Sequence, residues 1–166
     1  MVTRALEKIM IREAEKFDFE GLLKLHLLLY KLHQKYDPQI KIDLGLSGRW
    51  IKNKLKDRKA KIWVGEEGKE VKAYALCELE KGEVGVISEI YVNSVLRNHG
   101  LGKNLIGKAI EFFKKNGIKK VLTATPKENH KSKEFWISLG FKEVRDKPPN
   151  DRYSFYRRMI LGKRLL

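Results

Sequence analysis

The stretch "SEIYVNSVLRNHGLGKNLIGKAIEFFKKNG", Ser88 to Gly117, decides how this chain folds. It opens with the alternating apolar residues of a β-strand, passes through Gly100 and Gly102, and continues with apolar residues spaced along one helical face. Asn116 and Gly117 then supply a helix stop signal. The pattern predicts a strand that enters a long amphipathic helix through a glycine turn.

The glycine turn is a candidate anion site. A helix that follows a strand has unsatisfied amide donors and a partial positive charge in its first turn, and glycine lets a ligand approach that backbone closely. Arg97 and Lys103 add positive charge. We interpret the turn as a phosphate site, although on these residues alone two glycines that ease a strand into a helix are an equal alternative.

Two other phosphate loops do not fit these residues. A Walker loop needs glycine where Arg97 stands and Ser or Thr where Asn104 stands. A dinucleotide loop needs a third glycine where Leu105 stands, and a parallel sheet that begins here. Neither class of site is therefore expected.

The flanking sequence predicts one domain over residues 1–166 with an α+β (mixed α/β) fold. Strands at 61–67, 71–80 and 84–92, joined by tight glycine turns, predict an antiparallel meander, and the later strand, helix and strand predict a parallel crossover. The other predicted elements are a strand from Lys8 to Ala14, a helix capped by Asp18 that runs to about Lys35, a short helix capped by Ser47, a strand at 118–125, a helix at 129–140, a short strand at 141–144 and a closing antiparallel strand at 152–161.

The composition limits the classes of partner. The chain has 36 Lys and Arg against 21 Asp and Glu, a net charge of +15. Such a field attracts polyanions, so nucleic acid or a ribosome is one class of partner, although a solvated lysine-rich surface explains the charge and is favoured. No apolar run approaches the about 18 residues of a membrane span, and the first residues lack a signal-peptide core. We expect a cytoplasmic protein with no membrane partner.

Single Cys and His residues do not indicate a reactive or metal site. Cys77 stands in an apolar strand and is interpreted as a buried residue rather than a nucleophile. His26 and His33 lie on one face of the first helix, but no carboxylate or cysteine completes a zinc set. A structural role is favoured for both histidines, and no metal is expected.

Residues 97–102, "RNHGLG", resemble the motif of the GNAT superfamily of N-acyltransferases, in which Gln or Arg, two residues, Gly, any residue and then Gly or Ala hold the pyrophosphate of acetyl-CoA. The segment "ENHKSKEFWISLGF", Glu128 to Phe141, resembles the second family signature, and the order of elements is similar from about Ile11 to Met159. The resemblance implies a GNAT-like acyl-CoA N-acyltransferase fold: a central mixed, mostly antiparallel sheet with a V-shaped splay and helices on both faces. It also implies transfer of an acetyl group from acetyl-CoA, as co-substrate, to a primary amine by direct attack.

The resemblance also implies which residues bind the co-substrate. The backbone of the last strand residues before the turn would hold the pantetheine arm and stabilise the thioester oxygen, the turn would hold the phosphates, and two residues of the second signature would contact the rest of CoA. These residues are Ile90, Tyr91 and Val92 for the arm, Arg97, Asn98, His99, Gly100, Leu101, Gly102 and Lys103 for the phosphates, and Asn129 and Ser132 in the second signature. A helix N-cap is a second role open to Asn129.

Glu89 lies where several members of the family carry a catalytic carboxylate, so we expect it to act as the base, with an exposed surface glutamate as the alternative. A carboxylate is a weak base at neutral pH, and the role would need burial or a water chain. If no bulge intervenes, Ile87, Glu89 and Tyr91 share one strand face.

The usual acid is missing from the second signature. Where many members have a tyrosine that protonates the leaving thiolate, this chain has Trp136, which is expected to be a wall of the pocket or part of the core. Tyr91, Tyr153 and Tyr156 are candidate substitutes, and Tyr91 is taken with Glu89 as a candidate catalytic residue. Solvent protonation of a readily leaving thiolate is another route.

The acceptor side is the least determined part. By the resemblance it lies around residues 30–50 and the final hairpin, where the sequence is aromatic and basic rather than acidic. This favours a peptide or protein amine, or an amine on an acidic metabolite, over a polyamine. The alternative function is a non-catalytic module that binds CoA, nucleic acid or a ribosome, and a homodimer through late strands is a further expectation.

Overall fold

The computed structural model describes residues 8–145 and 158–166. The strands found there are β1 (Ile9–Glu13), β2 (Ala60–Glu67), β3 (Glu70–Glu80), β4 (Val84–Val92), β5 (Lys120–Pro126), β6 (Lys142–Glu143) and β7 (Arg158–Arg164). The helices are α1 (Phe19–Gln34), α2 (Leu44–Lys56), α3 (Leu101–Lys115) and α4 (His130–Ser138).

The strands form one sheet in the order β1-β2-β3-β4-β5-β7-β6. β4 and β5 are parallel, and the other neighbouring strands are antiparallel. Helix α3 makes the crossover from β4 to β5, as a strand, helix and strand succession requires. The predicted mixed sheet, antiparallel first and crossing over later, is confirmed.

Helices bury both faces of the sheet. Leu25 of α1 and Tyr74 of β3 belong to the core under α1 and α2, whereas Phe113 of α3 and Trp136 of α4 belong to the core on the opposite face. Cys77 lies in the second core, fully buried, and burial raises the pKa of its thiol far above the ordinary range. The thiol is therefore inert, as the sequence predicted.

A bulge in β4 decides which face carries Glu89. The register with β3 shifts between residues 76 and 77, which leaves Ser88 as an extra residue in β4. A bulge interrupts the alternation of side chains, so Glu89 faces α1 while Ile87 lies in the core under α3. The expectation that Ile87, Glu89 and Tyr91 share a face is wrong for Ile87, because it required a regular strand.

The bulge is tied to α2 by polar contacts. Ser88 donates a hydrogen bond to Glu78 of β3, and Lys54 of α2 forms an ion pair with the same carboxylate. Because Glu78 and Lys54 are both largely buried, this contact fixes the strand against the helix.

Of the two predicted helix caps, one is confirmed in position and one is wrong. Asp18 is the N-cap residue of α1, but its carboxylate makes no capping bond to the helix and instead accepts two hydrogen bonds of 2.8 Å from the Arg12 guanidinium. Helix α2 begins before Ser47, and its cap is Asp43, whose carboxylate accepts from the Leu46 amide at 2.8 Å. The Ser47 hydroxyl is therefore not the cap of α2 and can form a hydrogen bond to another part of the structure.

The predicted closing antiparallel strand is confirmed for residues 158–161. β7 begins at Arg158, pairs with β5 and β6 and lies between them. Residues 152–157 of the predicted strand lie outside the described residues.

Gly85 on β4 is a position where a methyl group has no room. An added Cβ would lie 2.5 Å from Cε1 of Phe113, a fully buried ring. We expect Gly85→Ala to lower the free energy of unfolding by about 1–3 kcal/mol, because the ring must move in a close-packed core. Gly107→Ala is the matched control: an added Cβ there meets open space inside helix α3, and it should stabilise by about 0.5–1 kcal/mol. Urea unfolding measures both, and equal effects of the two substitutions would contradict the packing described.

Candidate active site

Strands β4 and β5 separate halfway along their length. Their pairing ends with Ile87 opposite Thr123, while β4 continues to Val92 and β5 to Pro126. The predicted V-shaped splay is therefore present, and in the part of the chain that the structure describes it leaves the β5-facing edge of residues 88–92 without a strand partner. The unpaired N–H and C=O groups of this strand edge can bind an extended polar ligand.

The antiparallel register tells which residues offer backbone groups to this opening. The Asn93 amide donates to the Lys72 carbonyl, and hydrogen-bonded pairs alternate along an antiparallel ladder. Ile90 and Val92 consequently direct their N–H and C=O groups into the opening, whereas Tyr91 directs its own toward β3. Of the three residues expected to hold a pantetheine arm by backbone, the structure brings two to the opening.

The glycine turn stands at the end of this opening. Gly100 is the residue before helix α3, in the left-handed region with φ of 86°, and Asn98 also has a positive φ of 64°. The first bond of the helix runs from the Asn104 amide to the Gly100 carbonyl. The amides of Leu101, Gly102 and Lys103 thus precede the helical ladder and are free to bind an anion.

Arg97 bridges the opening and the turn. Its Nε donates to the Val92 carbonyl at 2.8 Å, and its guanidinium lies 5.2 Å from the centroid of the Tyr91 ring. His99 and Lys103 are exposed beside the turn, where they can meet phosphate groups in solvent. The motif residues are therefore brought together around one corner of the sheet.

The second signature packs against the turn. Asn129 caps helix α4, since its side chain accepts from the Ser132 amide at 3.1 Å. A Cβ added to Gly102 would lie 3.2 Å from the Phe135 ring, so glycine permits the close approach of α4 to α3. Trp136 is fully buried and touches Phe135 and Phe141, which confirms a core position.

One buried hydroxyl on β5, beyond the last pair with β4, has no hydrogen-bond partner among the described residues. Thr123 of β5 donates to the Ile87 carbonyl at 3.0 Å, across to β4. Thr125 is the next residue on the same face, beyond the last pair, and its buried Oγ1 makes no hydrogen bond in the part of the chain that the structure describes. Such groups are rare in proteins, and a polar ligand between the strands would satisfy it. The residues present therefore fit a pantetheine-like chain.

Glu89 is buried, which its role as a base would need. It is 7% exposed, accepts a hydrogen bond of 2.7 Å from the Tyr74 hydroxyl and lies 3.0 Å from Nδ1 of His26. Burial and the adjacent Glu89 carboxylate raise the pKa of Tyr74 well above its usual value, so the phenol stays a donor. The alternative of an exposed surface glutamate is excluded.

His26 is the neighbour of Glu89 that the sequence did not reveal. It lies 63 residues from Glu89 along the chain, on an apolar helix where a histidine gives no periodic signal. Its Nε2 lies 3.2 Å from the Ser47 hydroxyl. Only the packing of α1 and α2 on the β4 bulge joins the three residues.

A cavity of about 530 Å³ opens over Glu89 between α1, α2 and β7. Its wall includes aromatic rings, three cationic side chains and two carboxylates: Tyr30, Trp50, Lys41, Arg49, Arg158, Asp43 and Glu89. The wall is aromatic and basic, as the sequence of residues 30–50 indicated. No group of metal-binding side chains occurs among residues 8–145 and 158–166.

His33 also lines the cavity, and burial, with smaller contributions from Arg158 and His26, lowers its pKa to about 4. The unfolded chain binds a proton at this residue at higher pH than the folded one. His33 therefore contributes to the stability of the fold at pH values above the ordinary histidine pKa, where it is neutral in both states. This contribution is lost as the pH falls toward 4. We expect His33→Gln to flatten the loss of thermal stability between about pH 6.5 and 4. Identical slopes for the two proteins would contradict this.

Two tyrosines proposed as substitute acids, Tyr153 and Tyr156, lie outside the described residues. Tyr91 is half-buried under the Arg97 guanidinium, on the same face as Glu89. In the described part of the chain, none of the helices has the length and apolar character needed to cross a membrane.

A sequence profile of the acetyltransferase (GNAT) family matches residues 20–141. Over 139 residues the chain is 32% identical to an uncharacterized N-acetyltransferase of Methanocaldococcus jannaschii, a match that covers 80% of this chain and 60% of that protein. The chain thus spans less than two thirds of the length of this relative.

Solved structures share the fold. An acetyltransferase from Streptococcus agalactiae matches with a TM-score of 0.81 at 21% identity, covering 96% of this chain and 99% of that one. The PaiA N-acetyltransferase from Thermoplasma acidophilum, solved in complex with coenzyme A, matches with a TM-score of 0.71 at 15% identity, covering 95% and 99%. At these identities the likeness concerns the fold.

Proposed function

Since this chain belongs to the acetyltransferase (GNAT) family, we propose that it transfers an acetyl group from acetyl-CoA to a primary amine. The observation that carries the proposal is the opening between β4 and β5, with the backbone of Ile90 and Val92 on one side and the amides of the glycine turn at its end. An open strand edge and the amides at the start of a helix together suit one extended ligand that carries a diphosphate beyond its extended arm.

Each part of the opening has a role in this proposal. The amides of Leu101, Gly102 and Lys103 hold the diphosphate, and His99 and Lys103 add positive charge. The Ile90 and Val92 backbone and the Thr125 hydroxyl hold the pantetheine arm. An Ile90 or Val92 amide in the opening also donates to the thioester oxygen as negative charge develops on it.

The acceptor amine enters through the cavity above Glu89. There its nitrogen attacks the thioester carbon directly, the new C–N bond forms, and CoA leaves as the thiolate. An amine is mostly protonated at neutral pH and must lose a proton before it attacks, which requires a base at the cavity floor. Trp136 is buried in the core, so the leaving thiolate takes its proton from the amine or solvent rather than from that position.

The cavity wall favours an amine that also carries negative charge. Lys41, Arg49 and Arg158 outnumber Asp43 and Glu89 along the wall. Cationic side chains attract a carboxylate or phosphate on the acceptor and disfavour a polyamine. An amine on an acidic metabolite, or on an acidic peptide, is therefore the proposed acceptor class.

The test is an acceptor screen with the purified chain and acetyl-CoA. Release of CoA thiol would be followed with amino acids, acidic and neutral peptides, polyamines and aminoglycosides, and each product would be verified by mass. We expect acidic amines to react faster than polyamines. Absence of thiol release with every amine, together with salt-sensitive retention on RNA, would instead support a non-catalytic module.

A further inference from the structure

The contacts of Glu89 form a chain that leads to the cavity. Both carboxylate oxygens lie 3.0 Å from Nδ1 of His26, and one of them also accepts from Tyr74. Nε2 of His26 lies 3.2 Å from Oγ of Ser47. Carboxylate, imidazole and hydroxyl thus follow one another, and all three residues line the cavity.

This order of contacts fixes the imidazole tautomer. An ionised carboxylate accepts hydrogen bonds and does not donate them, so the nitrogen beside Glu89, Nδ1, carries a proton. The neutral ring then has its lone pair on Nε2, directed at the Ser47 hydroxyl. The arrangement presents a base at Nε2 and an anion behind it that stabilises the imidazolium.

We propose that His26 takes the proton of the acceptor amine through the Ser47 hydroxyl, and that Glu89 is the positioning residue behind it. The inference rests on the proposed function and assigns the base of that reaction. Imidazole is the side-chain base best matched to neutral pH, whereas Glu89 already receives donors from Tyr74 and His26.

The proton steps balance. The ammonium of the acceptor gives a proton to Ser47 Oγ while the Ser47 hydroxyl proton moves to Nε2, which leaves a free amine and an imidazolium. The amine then forms the C–N bond, the C–S bond breaks, and the second amine proton ends on the thiolate. The imidazolium returns its proton to solvent through the cavity.

Other titratable groups around His26 leave this assignment in place. On α1, the Tyr30 ring lies 4.3 Å from the His26 ring, and His33 is held neutral by its lowered pKa. Tyr74 on β3 and Glu89 on β4 stand on the Nδ1 side, and Arg158 on β7 acts on His33. Lys41, Asp43 and Arg49 line the same cavity, but among the described carboxylates it is Glu89 that contacts the His26 ring.

His26→Asn is the decisive variant, because its amide can still donate to Glu89 in place of Nδ1–H while the Nε2 base is gone. With the acceptor that reacts fastest in the screen, kcat should fall by about 10²-fold or more, with the affinity for acetyl-CoA unchanged. Ser47→Ala should cost less, about tenfold, because water can occupy the space of the hydroxyl. His33→Gln is the matched control in the same cavity, and its effect should be confined to the KM of the acceptor.

The pH profile separates a base from a structural residue. The wild-type kcat/KM should fall at low pH more steeply than the fraction of free amine alone requires. The His26→Asn rate should instead follow only the fraction of free amine. A His26→Asn enzyme with wild-type kcat and profile would overturn the inference and leave the proposed function standing, whereas a wild-type chain that acetylates no amine would remove both.

A second measurement does not depend on turnover. In protein labelled with ¹⁵N-histidine, His26 should show a hydrogen-bonded proton on Nδ1, assigned by its absence in His26→Asn. Glu89→Gln should move that proton to Nε2, because the new amide donates to Nδ1. A wild-type His26 protonated only on Nε2 would contradict the proposed relay, since that nitrogen could not accept from Ser47. Acetylated Ser47 that forms and turns over would contradict it as well, because the hydroxyl would then be a nucleophile.

Discussion

Replacing Glu89 by glutamine is expected to lower kcat by about 10²- to 10⁴-fold, the range that a general base contributes. The Tyr74 hydroxyl donates to this side chain, so the carbonyl oxygen of the introduced glutamine would receive that bond and its amide nitrogen would face His26. The amide donates to Nδ1, which forces the imidazole into the wrong tautomer and removes the anion behind it. The affinity for acetyl-CoA should stay the same. Steady-state rates with the best acceptor measure kcat, and titration with acetyl-CoA measures the affinity.

Glu66→Gln is the matched control for this substitution. It makes the same chemical change on β2, where the carboxylate pairs with Arg12 and does not line the cavity, and kcat should not change. Equal losses in the two variants, or a wild-type rate in Glu89→Gln, would remove Glu89 from the reaction.

Gly100→Leu should lower the affinity for acetyl-CoA by about a hundredfold or more, which corresponds to about 2.8 kcal/mol. A Leu side chain would stand over the amides that bind the diphosphate, and several charge-assisted hydrogen bonds would be lost together. Leu also resists the left-handed backbone at this position. Calorimetric titration and the rise in melting temperature with acetyl-CoA measure the loss.

Two further variants separate the ligand effect from backbone strain. Gly107→Leu introduces the same side chain inside helix α3 at a position with open space, and acetyl-CoA should bind to it as to the wild type. Gly100→Asn introduces a residue that tolerates the left-handed backbone conformation. This variant should fold well but bind acetyl-CoA more weakly than the wild type. Full stabilisation of Gly100→Leu by acetyl-CoA would contradict the phosphate site.

The fold was predictable because its signals are local. Alternation in β2, β3 and β4 and the glycine turn before α3 each stand within a few residues, and the observed bounds agree closely with those predicted. The motif "RNHGLG" indicated the family, and the family match confirms it. Helix caps were less predictable. The Asp18 carboxylate binds Arg12 instead of capping α1, and the positions of the two residues in the sequence do not reveal this contact.

The site was predictable only in part, because its contacts join residues that are distant in the sequence. Glu89 could be selected from its place on the strand, but its burial and orientation depend on the bulge at Ser88, which gives no clear sequence signal. The partners of Glu89 come from α1 and α2, and their contacts depend on how two helices pack on a sheet. The sequence alone therefore indicates other roles for them, a structural histidine at His26 and a helix cap at Ser47.

The most direct test of the account is a crystal structure of the chain with coenzyme A. We predict the diphosphate within hydrogen-bond distance of the Leu101, Gly102 and Lys103 amides, and the pantetheine arm between β4 and β5 along Ile90 and Val92. Coenzyme A bound elsewhere on the basic surface, with the opening between β4 and β5 left without ligand, would contradict it.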